Sequence, residues 1–356
     1  MCAADPWHSE LACEGAVFDE NGTGGPLQFH RVEDEYAELT GGAAVVDLSE
    51  RTRLELTGAD RATFLHNLCT NEVRKLEPGA GCEAFFLNAK GHIVGHGFVL
   101  AGAESHVVEA APGLAQKLLA HLDRYIIRED VQLADRSDAW AEFLIGGPKA
   151  AEVLARVAGA EAPRERLRGQ DIVVGNVPVH ARRAEMTLPA SWLLFFPRAQ
   201  RGVVWKVLTG GGAHPCGRRA FDTARIEAGF PIYGRDISER NLPQEVARDE
   251  LALSFVKGCY IGQETVARID ALGHVNRLLR GIKLHSDHVP ADGTELRAAG
   301  QTIGEITSAT CSPLLAAPMA LAYIRRGYDQ PGTRLECEHG AAEVVRLPVE
   351  RAAAHG

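Results

Sequence analysis

From about residue 280 onward the chain changes its hydrophobic period. GIKLH, TELRA, TIGEITSA, MALAYI, RLECE and AEVVRL are short runs of strand-forming residues with turn residues between them, and none continues as an amphipathic helix. Strands with no helix to cover them must close on themselves or stack in two layers. Residues 279–356 therefore predict a small all-β barrel or sandwich. Upstream, helical and strand periods are mixed, so the whole chain reads as α+β with a separate β end.

Residues 1–36 read as a lead-in of loops and one short helix, ending near NGTGGP and the acidic stretch EDEYAE. Residues 37–138 form a first α+β lobe. VVDL and TRLELTG read as a strand pair, and GADRATFLHNLCTNEV as a helix with Asp60 near its start. EAFFLN, HIVGHGFVL and SHVVEA are strands, the first two separated by the turn Asn88–Gly91. GLAQKLLAHLDRYI then places Leu114, Leu118, Leu122 and Tyr125 on one helical face. Residues 139–278 form a second α+β lobe, in which Pro148 sits at a helix N1 position. It includes a helix from Arg218 to Gly229 and a short helix from Gln263. Segments are free to exchange between these two lobes.

Composition narrows the class. The 356 residues suffice for two or three domains, and 46% apolar with 24% charged residues argues against disorder. Thirty-eight basic against 47 acidic residues give a formal charge of −9, the wrong balance for a protein that lives on phosphate contacts. The eight cysteines show no CxxC or metal-ligand spacing, so neither a disulfide framework nor a metal is expected. The first residues lack a secretory pattern and no apolar run spans a bilayer, which leaves Asn21-Gly22-Thr23 without meaning as a sequon. The expectation is a cytoplasmic protein.

Three stretches hold candidate chemistry. Lys257-Gly258-Cys259-Tyr260-Ile261-Gly262 is a glycine-flanked turn before a helix. A cysteine there, beside an ammonium and a helix start, would have a lowered pKa, whereas a buried structural thiol with Lys257 solvated fits the same spacing. His92 and His96 share one face of a regular strand, where they are either polar-face residues or two ligands lacking a third. Arg225 and Glu227 at a helix end are either a surface pair, or Glu227 accepts paired N–H donors from a planar heterocycle. GxSxG, HExxH and GxxxxGK[ST] are missing.

KGCYIGQETVAR, preceded by LPQEVARDELALSFV, resembles the signature of the YgfZ-type folate-binding proteins. These are bacterial relatives of the glycine-cleavage T protein (aminomethyltransferase), with a mitochondrial branch serving iron–sulfur protein maturation. RIEAGFPIYG is similar to the superfamily segment RLEAGxPLYG. GAAVVDLSERTRLELTGADRATFLHNLCTNEVRKLEPG resembles its N-terminal segment, and GEITSATCSPLLAAPMALAYI its C-terminal barrel, so the likeness covers about residues 40–345. It implies a three-lobed ring of two α+β lobes, one of them ferredoxin-like, and a small β-barrel, with folate in the central opening.

The same resemblance implies tetrahydrofolate or a one-carbon derivative as ligand, its pterin near Glu227. Arg225, Tyr233, Gly258, Tyr260, Gly262, Gln263, Glu264 and Asn88 complete the binding set. Cys259 would be the reactive group and Lys257 its activator. Two departures bear on activity. The acidic pair of the aminomethyltransferase segment GGIxDDLIV is replaced by Gly95 and His96, and RRAEMTLPASWLLFFP lacks the RxGYTGExGxE pattern. A carboxylate there would handle protons and stabilise a cationic iminium; an imidazole can replace it as a base but, once protonated, would not stabilise the cation. The resemblance thus implies a folate-binding accessory protein for iron–sulfur cluster assembly or repair, partnered by folate and by iron–sulfur client or assembly proteins. Its alternative is a folate-dependent aminomethyltransferase or related one-carbon transferase or demethylase. The resemblance leaves enzymatic turnover open.

Overall fold

The computed structural model describes residues 5–20 and 24–350, which leaves Cys2 and the Asn21-Gly22-Thr23 triplet outside the described residues. The chain forms two compact units. One combines residues up to Arg53 with Asp135–Ala224, and the other combines Leu54–Ala134 with residues from Arg225 onward. These are discontinuous, unlike the continuous lobes 37–138 and 139–278 expected from sequence, and the KGCYIGQE stretch falls in the unit that holds Leu54–Ala134.

The first unit is built on a six-stranded sheet. Its order is His214–Cys216, Ala44–Asp47, Trp140–Gly146, Ser191–Pro197, Val177–Ala184, Gly169–Val174. Ala44–Asp47 does not pair with Thr52–Thr57, as its proximity in sequence suggested. All four of its residues are buried, so it needs a neighbour on each side. It finds them in Trp140–Gly146 (antiparallel) and His214–Cys216 (parallel). Two helices, Pro6–Cys13 and Val32–Gly41, replace the single helix expected in the lead-in. Trp7 of the first packs edge-on against Trp205 at 5.8 Å, and both join Phe143 in the core.

The second unit holds a five-stranded sheet in the order Gly81–Leu87, Ile93–Ala101, His106–Ala110, Thr52–Thr57, Gln132–Asp135. The helices Arg61–Leu68 and Ala115–Asp123 contribute Leu65, Leu68, Leu118 and Leu122 to its core. The same unit holds a closed six-stranded barrel, Arg277–Leu284, Ala317–Arg325, Gln301–Ser312, Glu295–Ala298, Arg334–Cys337, Gly340–Val345. Ile282, Leu296, Ile306, Ile324 and Val344 fill it. Closure pairs the strand edges that an open sheet of this size would expose. The fold is therefore mixed α+β with a C-terminal β-barrel, as the change of hydrophobic period predicted. No helix among the described residues is long and apolar enough to cross a membrane.

Candidate functional site

Residues 253–262 run irregularly between the short helix Asp249–Ala252 and the helix Gln263–Leu272. Lys257 anchors them. Its buried ammonium donates to the carbonyls of Cys69 (2.8 Å), Asn71 (2.7 Å) and His66. These carbonyls lie at and just beyond the C-terminal end of the helix Arg61–Leu68, where unpaired C=O groups and the helix dipole favour a cation. The three donors of the ammonium are thereby used. Tyr260 is buried with the ammonium 4.9 Å from its ring centroid, and burial pushes its phenol up to about 12.

Between these anchors Cys259 is exposed and free, as is the backbone bend at Gly258, where an added Cβ would meet nothing. Nearby Val256 is 97% and Phe255 49% exposed. The expectation that Lys257 activates Cys259 needs correction. Lys257 spends its donors on carbonyls, and the thiols in its field are the buried Cys69 and the half-buried Cys82. Burial raises the Cys69 pKa, with the Lys257 charge opposing.

Gly262 ends the segment at φ +81°, and a Cβ there would sit 2.7 Å from the Asn88 carbonyl oxygen. Gly91, at φ +84°, is equally tight against Thr265. The hairpin turn and the helix start therefore meet at backbone distance, which only glycine permits. Asn88 closes that turn, its Oδ1 accepting the N–H groups of Lys90 (2.9 Å) and His92 (3.1 Å), so the structure gives its side chain a local use. Gln263 is half-buried and Glu264 exposed on the first turn of the helix.

Arg225 and Glu227 are not a surface pair. Both are buried, and each reaches a different partner. Arg225 Nη1 donates to Asp236 (2.8 Å) and to the Phe230 carbonyl (3.2 Å). Asp236 also accepts from the Ile232 N–H and from Thr307 and Ser308 on the barrel strand Gln301–Ser312. The pair thus pins the loop after Arg225 to the barrel. Glu227 accepts from Ser312 Oγ at the end of the same strand. Tyr233 is buried, with its hydroxyl accepting from Lys117, whose ammonium also pairs with Glu239 at 2.6 Å.

Of one further set the sequence singled out only His96. Glu83 lies opposite Phe98, and Phe85 opposite His96, on the paired strands Gly81–Leu87 and Ile93–Ala101, so all four share a face. Phe98 in turn lies opposite the buried Glu109. Glu83 is fully buried, bonded to His96 Nε2 at 2.8 Å and gripped by Arg248 through both oxygens. Burial alone would raise the Glu83 pKa. The charge of Arg248 and the bonds from Arg248 and His96 outweigh it, and hold the carboxyl well below the ordinary carboxylate range. Phe85 and Phe230 flank the imidazole at 4.9 and 6.0 Å. Gly95 looks the other way, and a Cβ there would lie 2.7 Å from Leu118. His92 leaves the His96 face as well. The pairing shifts register between Phe86 and Leu87, which breaks the two-residue alternation. Among the described residues no group of three or more His, Cys, Asp or Glu is placed to hold a metal ion. Thr70 and Asn71, also missed, tie the Glu83 strand to residues 251–254: Asn71 Nδ2 donates to the carbonyls of Glu83 and Leu251, and Thr70 Oγ1 to that of Ala252. The available signal was a charged or polar residue inside an apolar run, which marks a position without naming its partner.

Comparison with known proteins matches the chain over its length. The aminomethyltransferase of Streptomyces avermitilis is 28% identical, covering 98% of this chain and 97% of that protein. That of Nostoc sp. is 29% identical, over 93% and 91%. The crystal structure of glycine cleavage system aminomethyltransferase T from Bartonella henselae superposes with a TM-score of 0.88 at 22% identity, covering 99% of both chains. The GCVT N-terminal domain model matches residues 7–251, and the glycine cleavage T-protein C-terminal barrel domain model matches residues 277–350. With both domain models matched in order along one chain, this protein belongs to the glycine cleavage T-protein family.

Proposed function

We propose that this chain binds tetrahydrofolate or a one-carbon derivative and acts as a YgfZ-type accessory protein in the assembly or repair of iron–sulfur enzymes, with Cys259 as its reactive thiol. The observation that carries the reading is the state of Cys259, exposed and free on a segment anchored by buried Lys257 and Tyr260. Such a thiol is both accessible and held in place. A planar, hydrogen-bonding heterocycle needs polar groups in apolar surroundings, and Arg225, Glu227 and Tyr233, buried in the second unit, are groups of that kind. Tetrahydrofolate, when bound, supplies the nitrogens that carry a one-carbon unit. Isothermal titration of the full chain with tetrahydrofolate is expected to show saturable binding, and none at millimolar ligand would remove the reading. Cys259→Ser is expected to fold and bind folate normally, yet fail to complement a strain lacking the native protein. Full complementation would end the thiol role.

A second reading, folate-dependent aminomethyl transfer, is favoured by the names of the relatives matched along the whole chain. It predicts formation of methylene-tetrahydrofolate from an aminomethyl donor. His96 on the site face, where the family segment has an acid, weighs against it.

A further inference from the structure

The C-terminal barrel closes at one thin seam. Glu295–Ala298 pairs along its length with residues 301–305, and Arg334–Cys337 with residues 340–343. Between themselves these two strands share a ladder at a single pair, Arg297 opposite Glu336. Beyond it, towards Glu295 on one strand and Cys337 on the other, the edges carry no further ladder among the described residues. A cleft of about 530 Å³ opens there, lined by residues of both strands. Strand edges left unpaired present N–H and C=O groups to any chain that can lie alongside.

The walls of the cleft are acidic. Glu295, Glu336 and Glu338 line it against one base, Arg297, and that guanidinium is spent on Glu295 at 2.7 Å. Glu338 faces His339 at 3.3 Å, and Glu336 is exposed. Charge on a strand edge guards it against pairing with a like chain. The whole chain carries a formal charge of −9, so this edge disfavours a second copy and favours a basic strand. Cys337 lies in the same cleft, half-buried and free.

We propose that this seam is a docking edge for an extended, basic segment of a partner protein, which adds as a strand beside Arg334–Cys337 with its cations against Glu336 and Glu338. Backbone hydrogen bonds would hold the segment, and the glutamates would select its charge. Every residue it uses lies in the barrel, so the proposal stands apart from the folate reading.

The test uses the full chain and a ten-residue peptide alternating lysine and valine, because a strand shows every second side chain to one face. Titration calorimetry is expected to show saturable binding, about tenfold weaker to the double variant Glu336→Lys, Glu338→Lys. Both residues are exposed, so the variant is expected to fold. A peptide with proline in place of each valine keeps the charge and lacks those backbone donors, and is expected not to bind. Bound peptide is expected to slow alkylation of Cys337 by iodoacetamide, mapped by mass spectrometry, while the exposed Cys259 reacts as before. No binding at millimolar peptide, equal binding to the double variant, or equal binding of the proline peptide overturns the inference. An unchanged Cys337 rate under saturating peptide also overturns it. A concentration-dependent dimer that shields Cys337 without peptide assigns the edge to a second copy and refutes the basic partner.

Discussion

The ammonium of Lys257 lies among three carbonyls at the end of the helix Arg61–Leu68, and removing it leaves buried acceptors without donors. Lys257→Met keeps the length of the side chain and deletes the charge. It is expected to destabilise the fold by about 3 kcal/mol in urea unfolding, whereas Cys259→Ser, on an exposed thiol, stays within about 0.5 kcal/mol. A Lys257→Met midpoint equal to that of the wild type would refute the anchoring role. The prominence of Lys257 was legible because the sequence has only seven lysines and this one sits in the specific motif. Its partners were not legible, since backbone carbonyls carry no residue identity. The same limit hid the split between Arg225 and Glu227, neighbours on one helix whose partners Asp236 and Ser312 are 11 and 85 residues away.

Between elements, the Asn88–Gly91 turn approaches the helix Gln263–Leu272 closely. Gly262→Ala combines a left-handed backbone with a Cβ 2.7 Å from a carbonyl oxygen, and is expected to cost about 2 kcal/mol or more. Gly258→Ala, in open space, is expected to be neutral within about 0.5 kcal/mol. Thermal melts of the two variants separate a glycine required by packing from one that only belongs to a motif, and equal melting temperatures would contradict the contact. Sequence spacing located the helix start at Gln263 correctly, because a glycine before an amphipathic stretch is a local signal. It misjudged Ala44–Asp47 and Thr52–Thr57 as partners, because strand pairing is a contest among all strands of the chain. A fully buried tetrapeptide was claimed by two distant ones.

Across the molecule, two opposing titrations contribute to the response to acid. Burial, with the Arg61 charge, lowers the His106 pKa to about 4. The folded chain then binds fewer protons than the unfolded one between about pH 4 and 6.5, and stability is lost as pH falls through that window. Burial, with Asp270 and Glu250, raises the Asp249 pKa to about 6. Here the folded chain binds more protons, so stability falls as pH rises from about 4 to 6. Asp249→Asn is expected to stabilise the protein by about 1 kcal/mol at neutral pH, after allowing for solvent screening, with the gain vanishing near pH 4. Denaturant titrations at both pH values check the sign, and a neutral-pH loss would contradict it. By itself the sequence determined the α+β class, the C-terminal β-barrel and the glycine cleavage T-protein family, because period, turn residues and motifs are properties of neighbouring residues. Only the tertiary structure decided that the chain divides into discontinuous units, that Lys257 serves a helix end rather than a thiol, and that Glu83, His96 and Arg248 meet. Those are contacts between residues up to 191 positions apart, selected by burial and hydrogen-bond satisfaction, which no local pattern encodes.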